Sequence, residues 1–230
     1  MLPVMTSEAV PLDRRQRRRL ETIEEVLDIA AEIMAEQGVA GLSVGEIARR
    51  MGIRPPSLYV YFPSKNALYD ALFARGAELI LAAMAEQRSD LTGSFEEQLL
   101  ASARAFIGWC IEHPAYSQLL FWRPVPGFTP TAEAYAPAVR LLGLTTAWFE
   151  ELQSDGLIRA DVAVDDVLRD WTVITSGVIS QQLANAPDED VEAGRYLAAL
   201  PGLAAMFAAH YGATRPSARS RGRARHADQR

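Results

Sequence analysis

One short stretch limits the fold of this chain more than any other: residues 42–67, LSVGEIARRMGIRPPSLYVYFPSKNA. It divides into a short amphipathic segment, a glycine at position 52, and a second short segment dense in tyrosine. Gly52 tolerates positive φ and so lets the chain turn within a few residues. Pro55 and Pro56 fit the first turn of a helix, where a missing N–H costs little. Ile47, Ala48, Met51, Ile53 and Leu58 supply the small and apolar contacts through which two such helices pack. Leu58 and Phe62, four residues apart, point inward together. This is the spacing of a helix-turn-helix, whose second helix enters the DNA major groove. Arg54, Ser57, Tyr59 and Tyr61 remain for the outward face.

Helical patterns surround this stretch. Leu20, Ile23, Val26, Leu27, Ala30, Ile33 and Met34 recur at steps of three and four, which predicts a helix over about 15–37, stopped by Gly38. Ser43 and Glu46 read as a capping box that opens a helix at about 44, running to Met51. A third helix is expected to end near Phe62-Pro63. Ser64 caps a fourth, about 65–88, with Leu68, Leu72, Ile80 and Met84 on its inner face. Ser94 and Glu97 form a second box, opening a helix of about 95–112 that ends before Pro114. A short helix (114–120), a proline-rich loop (121–130, FWRPVPGFTP) and helices of about 132–154, 164–185 and 190–211 follow. No segment alternates apolar and polar residues over a strand length, so the fold class is all-α. The expected organisation is a disordered arm (1–14), a helix-turn-helix domain (15–76), a larger helical body for regulation and dimerisation (77–211) and a disordered basic tail (212–230).

A net charge of −6 argues by itself against a nucleic-acid binder. The distribution of charge matters more. Arg14, Arg15, Arg17, Arg18 and Arg19 cluster just ahead of the first helix, and residues 215–230 hold six arginines against Asp228 alone. Local positive potential is sufficient at a DNA-facing end, because salt screens charges beyond about 10 Å. No run of about 18 apolar residues predicts a membrane span. The first residues carry their charge after weak apolar positions, the reverse of a secretory signal, so a cytoplasmic protein is expected. Cys110 stands alone, which excludes an internal disulfide or a CxxC metal site. His113, His210 and His226 show no ligand spacing, so no metal is expected, and no cofactor motif appears. Gly41-Leu42-Ser43-Val44-Gly45 matches the G-x-S-x-G elbow of serine hydrolases. That elbow needs a strand before the serine, whereas an amphipathic helix precedes this one. The chain does not read as an enzyme.

The first-helix pattern ending in Gly38, followed by LSVGEIARRMGIRPPSLYVYFPSKNALYDAL, resembles the TetR family of transcription regulators over about residues 15–76. The pairing of S-L-Y-x-Y-F with S-K-x-x-L is the most specific part. The resemblance implies that Ser43, Val44, Arg54, Pro55, Ser57, Tyr59, Tyr61 and Lys65 lie against DNA, the tyrosine hydroxyls and the lysine meeting phosphates. Within the Arg14–Arg19 run, Arg18 is a further candidate; the run is either a backbone or minor-groove arm or a solvated charge cluster. Lys65 is the sole lysine beside 22 arginines. It falls in the first turn of a helix, where a cation opposes the dipole by roughly 0.3–1 kcal/mol. A phosphate partner would account for it; a solvated lysine is the alternative. The tyrosines either meet phosphates or pack with surface hydroxyls. Arg54 either reads guanine through a bidentate pair or holds a phosphate. Two positions depart from the family pattern. Pro56 stands where relatives carry a small residue, often glycine, and removes an N–H that could touch a phosphate; Tyr61 stands where histidine is frequent.

The same resemblance implies a homodimer paired through the last two long helices, about 164–185 and 190–211. The segment WTVITSGVISQQLAN has few charges and many small residues, which suits close helix contact. A two-fold pair places two recognition helices about 34–36 Å apart on a near-palindromic operator. The body also holds many aromatics, each either core or pocket wall. The candidate lining for a small apolar or aromatic effector is Phe106, Trp109, Cys110, Phe121, Trp122, Tyr135, Thr145, Trp148, Trp171 and Thr175, with loop 121–130 at the entrance. The expected function is a ligand-responsive repressor. A reading of different class is a helical scaffold or adaptor that keeps the fold without sequence-specific DNA binding.

Overall fold

The computed structural model describes residues 13–187, 189 and 194–213. Nine α-helices occur among them: α1 (Arg14–Gln37), α2 (Val44–Arg50), α3 (Pro55–Leu58), α4 (Lys65–Gln87), α5 (Phe95–Glu112), α6 (Pro114–Phe121), α7 (Ala132–Ser154), α8 (Val164–Asn185) and α9 (Leu200–Tyr211). The only β pairing among the described residues is an isolated antiparallel bridge between Ile158 and Gly212. None of these helices is long and apolar enough to cross a membrane. The chain divides into two compact units. The first gathers the described residues up to Arg75 with Ala115–Ala134, and the second comprises Gly76–Pro114 and the described residues from Tyr135 onward.

In the first unit, α1 starts earlier than its apolar pattern. Asp13 Oδ1 accepts from the Gln16 N–H at 2.7 Å, and Gln16 Oε1 accepts from the Asp13 N–H at 2.9 Å. This reciprocal capping box satisfies two donors that a helix start leaves free. Arg14–Arg19 is therefore helical rather than an arm ahead of the helix, and residues 1–12 of the expected arm lie outside the described residues. Val26, Leu27, Ala30, Ile33 and Met34 form the buried face of α1.

The capping box expected at α2 forms only by half. Ser43 Oγ accepts from the Glu46 N–H at 3.4 Å. The Glu46 carboxylate does not return to Ser43; it accepts from Arg49 at 2.8 and 2.7 Å and from Arg50 at 3.0 Å. A guanidinium offers charge-assisted bonds about twice as strong as a neutral N–H does, so it takes the carboxylate. Arg50 also donates to Glu36 of α1 at 3.0 Å through Nη1, with a second bond from Nη2. Arg50 thus fastens α2 to α1 around the buried Ile47 and Ala48.

The turn after α2 closes by two hydrogen bonds. The Gly52 N–H donates to Arg49 O at 3.2 Å and the Ile53 N–H to Ala48 O at 2.9 Å. This double closure requires a left-handed residue just past the helix, and Gly52 has φ +67°. Arg54 is extended (φ −86°, ψ 141°), as a residue before proline must be. Regular helix then lasts only from Pro55 to Leu58, short of the expected end near Phe62-Pro63. Leu58 O accepts from both the Tyr61 and Phe62 N–H groups at 2.9 Å, which tightens the last turn. Ser64 Oγ caps α4 by accepting from the Ala67 N–H at 3.1 Å. Further along α4, Asp70 accepts from the Thr131 N–H and Oγ1, each at 2.7 Å, and Phe128 lies 5.6 Å from Tyr69 between ring centroids. The proline-rich segment is thereby pinned within the first unit.

The second unit opens α5 with a complete box between Ser94 and Glu97. Leu99, Ala103 and Ile107 of α5 are buried, and α5 packs against both α8 and α9. Phe207 of α9 stacks at 4.9 Å on Trp171 of α8 and at 6.2 Å on Phe95. The last helix begins at Leu200, not near 190. A 3₁₀ turn, Leu197–Ala199, precedes it, and Pro201 in its first turn lacks the N–H that a helix arriving from further upstream would use. Residues 190–193 of the expected span lie outside the described residues. At its other end, the Ala213 N–H donates to Leu157 O at 2.9 Å and the Arg159 N–H to Tyr211 O at 3.0 Å, so Gly212 and Ala213 are tied down. The arginine-rich residues 214–230 and His226 lie outside the described residues.

Two outcomes follow for stability. A Cβ at Gly52 meets nothing within 4 Å, so Gly52→Ala carries only the left-handed backbone cost. It is expected to lower unfolding free energy by about 1–2 kcal/mol, read as a shifted urea midpoint at unchanged m-value. Hydrogen bonds from Arg49, then Arg50, hold the Glu46 carboxyl down at about 2, against an ordinary value of 4.5. A depressed folded-state value means that this stabilisation is complete above about pH 4.5 and is lost as pH falls toward about 2. Glu46→Gln is expected to lower the melting temperature at pH 7 and to flatten its decline across that window, measured by circular dichroism.

Candidate nucleic-acid interface

Short as it is, α3 has a defined inside and outside. Leu58 is 2% exposed and Phe62 is buried beside it. Arg54, Pro55, Pro56 and Ser57 are exposed, Tyr59 is 50% exposed and Val60 67%. Tyr61 is half-buried because Arg19 of α1 covers it, with its guanidinium carbon 5.2 Å from the ring centroid. Arg19 also donates to Val60 O at 3.5 Å. Around this segment, Ser43 and Lys65 are exposed at the starts of α2 and α4, Val44 is half-buried, and Arg18 is exposed on α1. All nine sequence-derived candidates fall in the first unit and none is buried. Val60 is an addition the sequence did not indicate, and the contact of Arg19, one of the Arg14–Arg19 run, with Tyr61 and Val60 was not readable, since no spacing rule gives the register between α1 and α3.

The charges of this unit separate into two groups. Arg49, Arg50 and Arg75 are neutralised by Glu46, by Glu36 with Glu46, and by Asp28 with Glu24, respectively. Arg14, Arg15, Arg17, Arg18, Arg19, Arg54 and Lys65 make no ion pair among the described residues. Lys65 Nζ lies 5.5 Å from the Tyr69 ring centroid. An exposed cation–π contact stabilises by about 0.5–1 kcal/mol, enough to offset the unfavourable helix dipole. The i, i+4 spacing of Lys65 and Tyr69 is readable in the sequence as this pair. Tyr69 itself is buried, donates to Val39 O at 2.7 Å, and has its hydroxyl pushed up from its ordinary value by that burial. The hydroxyls of Ser57, Tyr59 and Tyr61 make no hydrogen bond among the described residues. Free hydroxyls and unpaired cations around a protruding turn of helix are what phosphate oxygens accept from.

The second unit contains a cavity of about 740 Å³. Ala83 and Met84 of α4, Arg104, Gly108, Trp109 and Glu112 of α5, and the segment from Leu197 to Pro201 line it. Of the ten candidate effector residues, Trp109 alone does so. Cys110, Trp148, Trp171 and Thr175 are buried packing residues: Trp148 Nε1 donates to Gln98 at 3.4 Å, and Thr175 Oγ1 to Trp171 O at 3.0 Å. Phe106 and Thr145 are half-buried and Tyr135 is exposed. Phe121 and Trp122 are exposed and, with the whole of loop 121–130, belong to the first unit. The ten residues therefore form no single cluster. Arg104 and Glu112 were not anticipated. The signal was the pair of small residues, Ala105 and Gly108, beside Trp109 on one face of α5, which leaves volume that large side chains would fill.

Comparison with known proteins gives two family matches, the second of which also takes in residues 115–134 of the first unit. The model for bacterial regulatory proteins of the tetR family matches residues 26–72, and that for the tetracyclin repressor-like C-terminal domain matches residues 99–200. Together they cover well over half of the chain. The HTH-type transcriptional regulator Rv1816 of Mycobacterium tuberculosis is 28% identical over 158 residues, 66% of this chain and 64% of that protein. The chain thus matches slightly less than two thirds of that relative's length. The HTH-type transcriptional repressor DrrR1 of Streptomyces coeruleorubidus is 31% identical over 54% of this chain and 45% of its own. Among solved structures, a protein of unknown function from Rhodococcus sp. RHA1 superposes with a TM-score of 0.70 at 18% identity, covering 82% of this chain and 94% of that one. The named relatives are regulators rather than enzymes. The chain belongs to the TetR family of helix-turn-helix transcriptional regulators.

Proposed function

We propose that this chain is a cytoplasmic transcriptional repressor that grips a near-palindromic operator as a homodimer and is released by a small, mainly apolar effector. The observation that carries the reading is the outward face of α3, with Ser57 and Tyr59 exposed over a buried Leu58, ringed by Arg18, Arg54 and Lys65 without ion pairs. In this reading Ser43, Val44, Pro55 and Ser57 lie against DNA, Tyr59, Tyr61 and Lys65 fix the position on phosphates, and Arg54 reads a base or holds a phosphate. Exposed apolar positions on the last two helices, Val173 of α8 and Met206 of α9, support pairing with a second copy there. The 740 Å³ cavity, large enough for a drug-sized molecule, supports the effector. Such a ligand acts only by preferring the conformation in which the two recognition helices no longer match one turn of DNA.

Fluorescence anisotropy with the chain's own upstream DNA and with random DNA tests the reading. A preference of about 10³ or more is expected. Tyr59→Phe should weaken all duplexes alike by about 3–10-fold. Lys65→Gln should do the same and also reduce the salt dependence, by about one phosphate contact per protomer. Arg54→Ala should additionally narrow the gap between specific and random DNA if it reads guanine. Unchanged affinity in all three variants would refute the assigned face.

A further inference from the structure

The second unit treats its arginines unevenly. Arg88 pairs with Glu151, Arg140 with Glu78, Arg159 with Asp161 at 3.3 Å, Arg169 with Asp166 and Asp170 at 2.6 and 3.0 Å, and Arg195 with Glu189 at 3.9 Å. Among the described residues, Arg104 is the one arginine of this unit without an ion pair, and it lines the cavity. Glu112 lines the same cavity, also without an ion pair, eight residues further along α5. At 1.5 Å per residue their backbone positions are separated by about 12 Å along the helix axis. Between them α5 presents Gly108 and Trp109, faced by Met84, Leu200 and Pro201. The cavity is therefore a partly open slot of mixed polar and apolar lining, with a cation toward one end, an anion toward the other and apolar side chains between them.

We propose that this slot recognises an elongated apolar monoanion, its anionic group on Arg104 and a neutral, hydrogen-bond-donating end at Glu112. The inference rests on the effector reading of the second unit and names the chemical class. Arg104 supplies a planar fork of donors that matches a carboxylate in bidentate fashion. Glu112 accepts hydrogen bonds and repels a second negative charge, so it selects by exclusion as well as attraction. The apolar middle follows from Met84, Trp109 and Leu200, and Gly108 leaves room for a chain to lie close to the backbone of α5.

Isothermal titration calorimetry with 10-hydroxydecanoate, decanedioate and decane-1,10-diol tests this on the full chain. All three are unbranched ten-carbon chains that differ in their end groups. The hydroxy acid should bind about tenfold more tightly than either of the others. Arg104→Gln should abolish its advantage over the diol, and Glu112→Gln should remove its advantage over the diacid. Both side chains are exposed, so the variants should melt like the parent, checked by circular dichroism. Equal affinity for all three compounds, no saturable binding by any, or preferences unmoved by the two variants would overturn the proposal. DNA anisotropy on the same samples separates the two readings. Intact operator preference with no ordered binding of the compounds sinks the slot alone; ordered binding by a chain that lacks operator preference sinks the repressor and keeps the slot.

Discussion

The interface depends on the burial of one leucine. A helix of four residues has no stability of its own in water, where isolated helices are marginal below about 12–15 residues. α3 exists because Leu58 is driven into the core of the first unit, a contribution of about 1.5–3 kcal/mol, and because the Gly52 closure delivers it there. The same contact sets the rotation of the segment. With Leu58 and Phe62 inward, Ser57, Tyr59 and Val60 have only the outside left. The polar face is thus a consequence of apolar packing, and its orientation is as firm as the packing is.

Electrostatics then divides labour among residues of one type. Arg50 and Arg75 hold helices together, each facing carboxylates on α1. Arg54 and the arginines at the start of α1 face none among the described residues. This sorting makes a net charge of −6 compatible with a locally positive face, because Glu24, Asp28, Glu36 and Glu46 are engaged by structural arginines while Arg54 and the first arginines of α1 are not. The second unit repeats the pattern: its arginines pair except at the cavity. In the second unit the one unpaired arginine among the described residues, Arg104, lines the cavity, where the proposed reading places a ligand.

Much of the fold was legible because its signals are local. Gly38, Gly52, Ser64 and Ser94 punctuate helices through bonds made within four residues, and the periodicity of α1 names its buried face directly. The readings that failed needed competition between neighbours or contacts across the chain. Ser43 and Glu46 match the capping-box pattern, yet Arg49 and Arg50 outbid the backbone for the same carboxylate. Asp13 was overlooked as a cap because the arginines after it resemble a solvated run. The apolar residues before Leu200 suggested a longer last helix, and Pro201 limits it. Aromatic content pointed to a pocket that the aromatics themselves fill: Trp148 and Trp171 are core, and the open volume lies where α5 carries Ala105 and Gly108.

The first turns of α1 carry the remaining tension in the molecule. Arg14, Arg15, Arg17 and Arg18 stand at the positive end of a helix dipole and repel one another, and only Arg19 finds a ring to lie against. Asp13 contributes a single negative charge at the cap. Such a helix start is less stable in isolation than one with acidic residues there, and salt relieves it only partly. In the proposed complex a phosphate backbone would bring negative charge to the dipole and to the side chains at once and release its own counterions in exchange. In that reading the arrangement that costs stability in the free protein is the one that becomes favourable on a duplex. Lys65 has its ring partner Tyr69 anchored through its hydroxyl to Val39, which keeps the ammonium at the surface rather than toward the core, and within reach of a phosphate in the proposed complex.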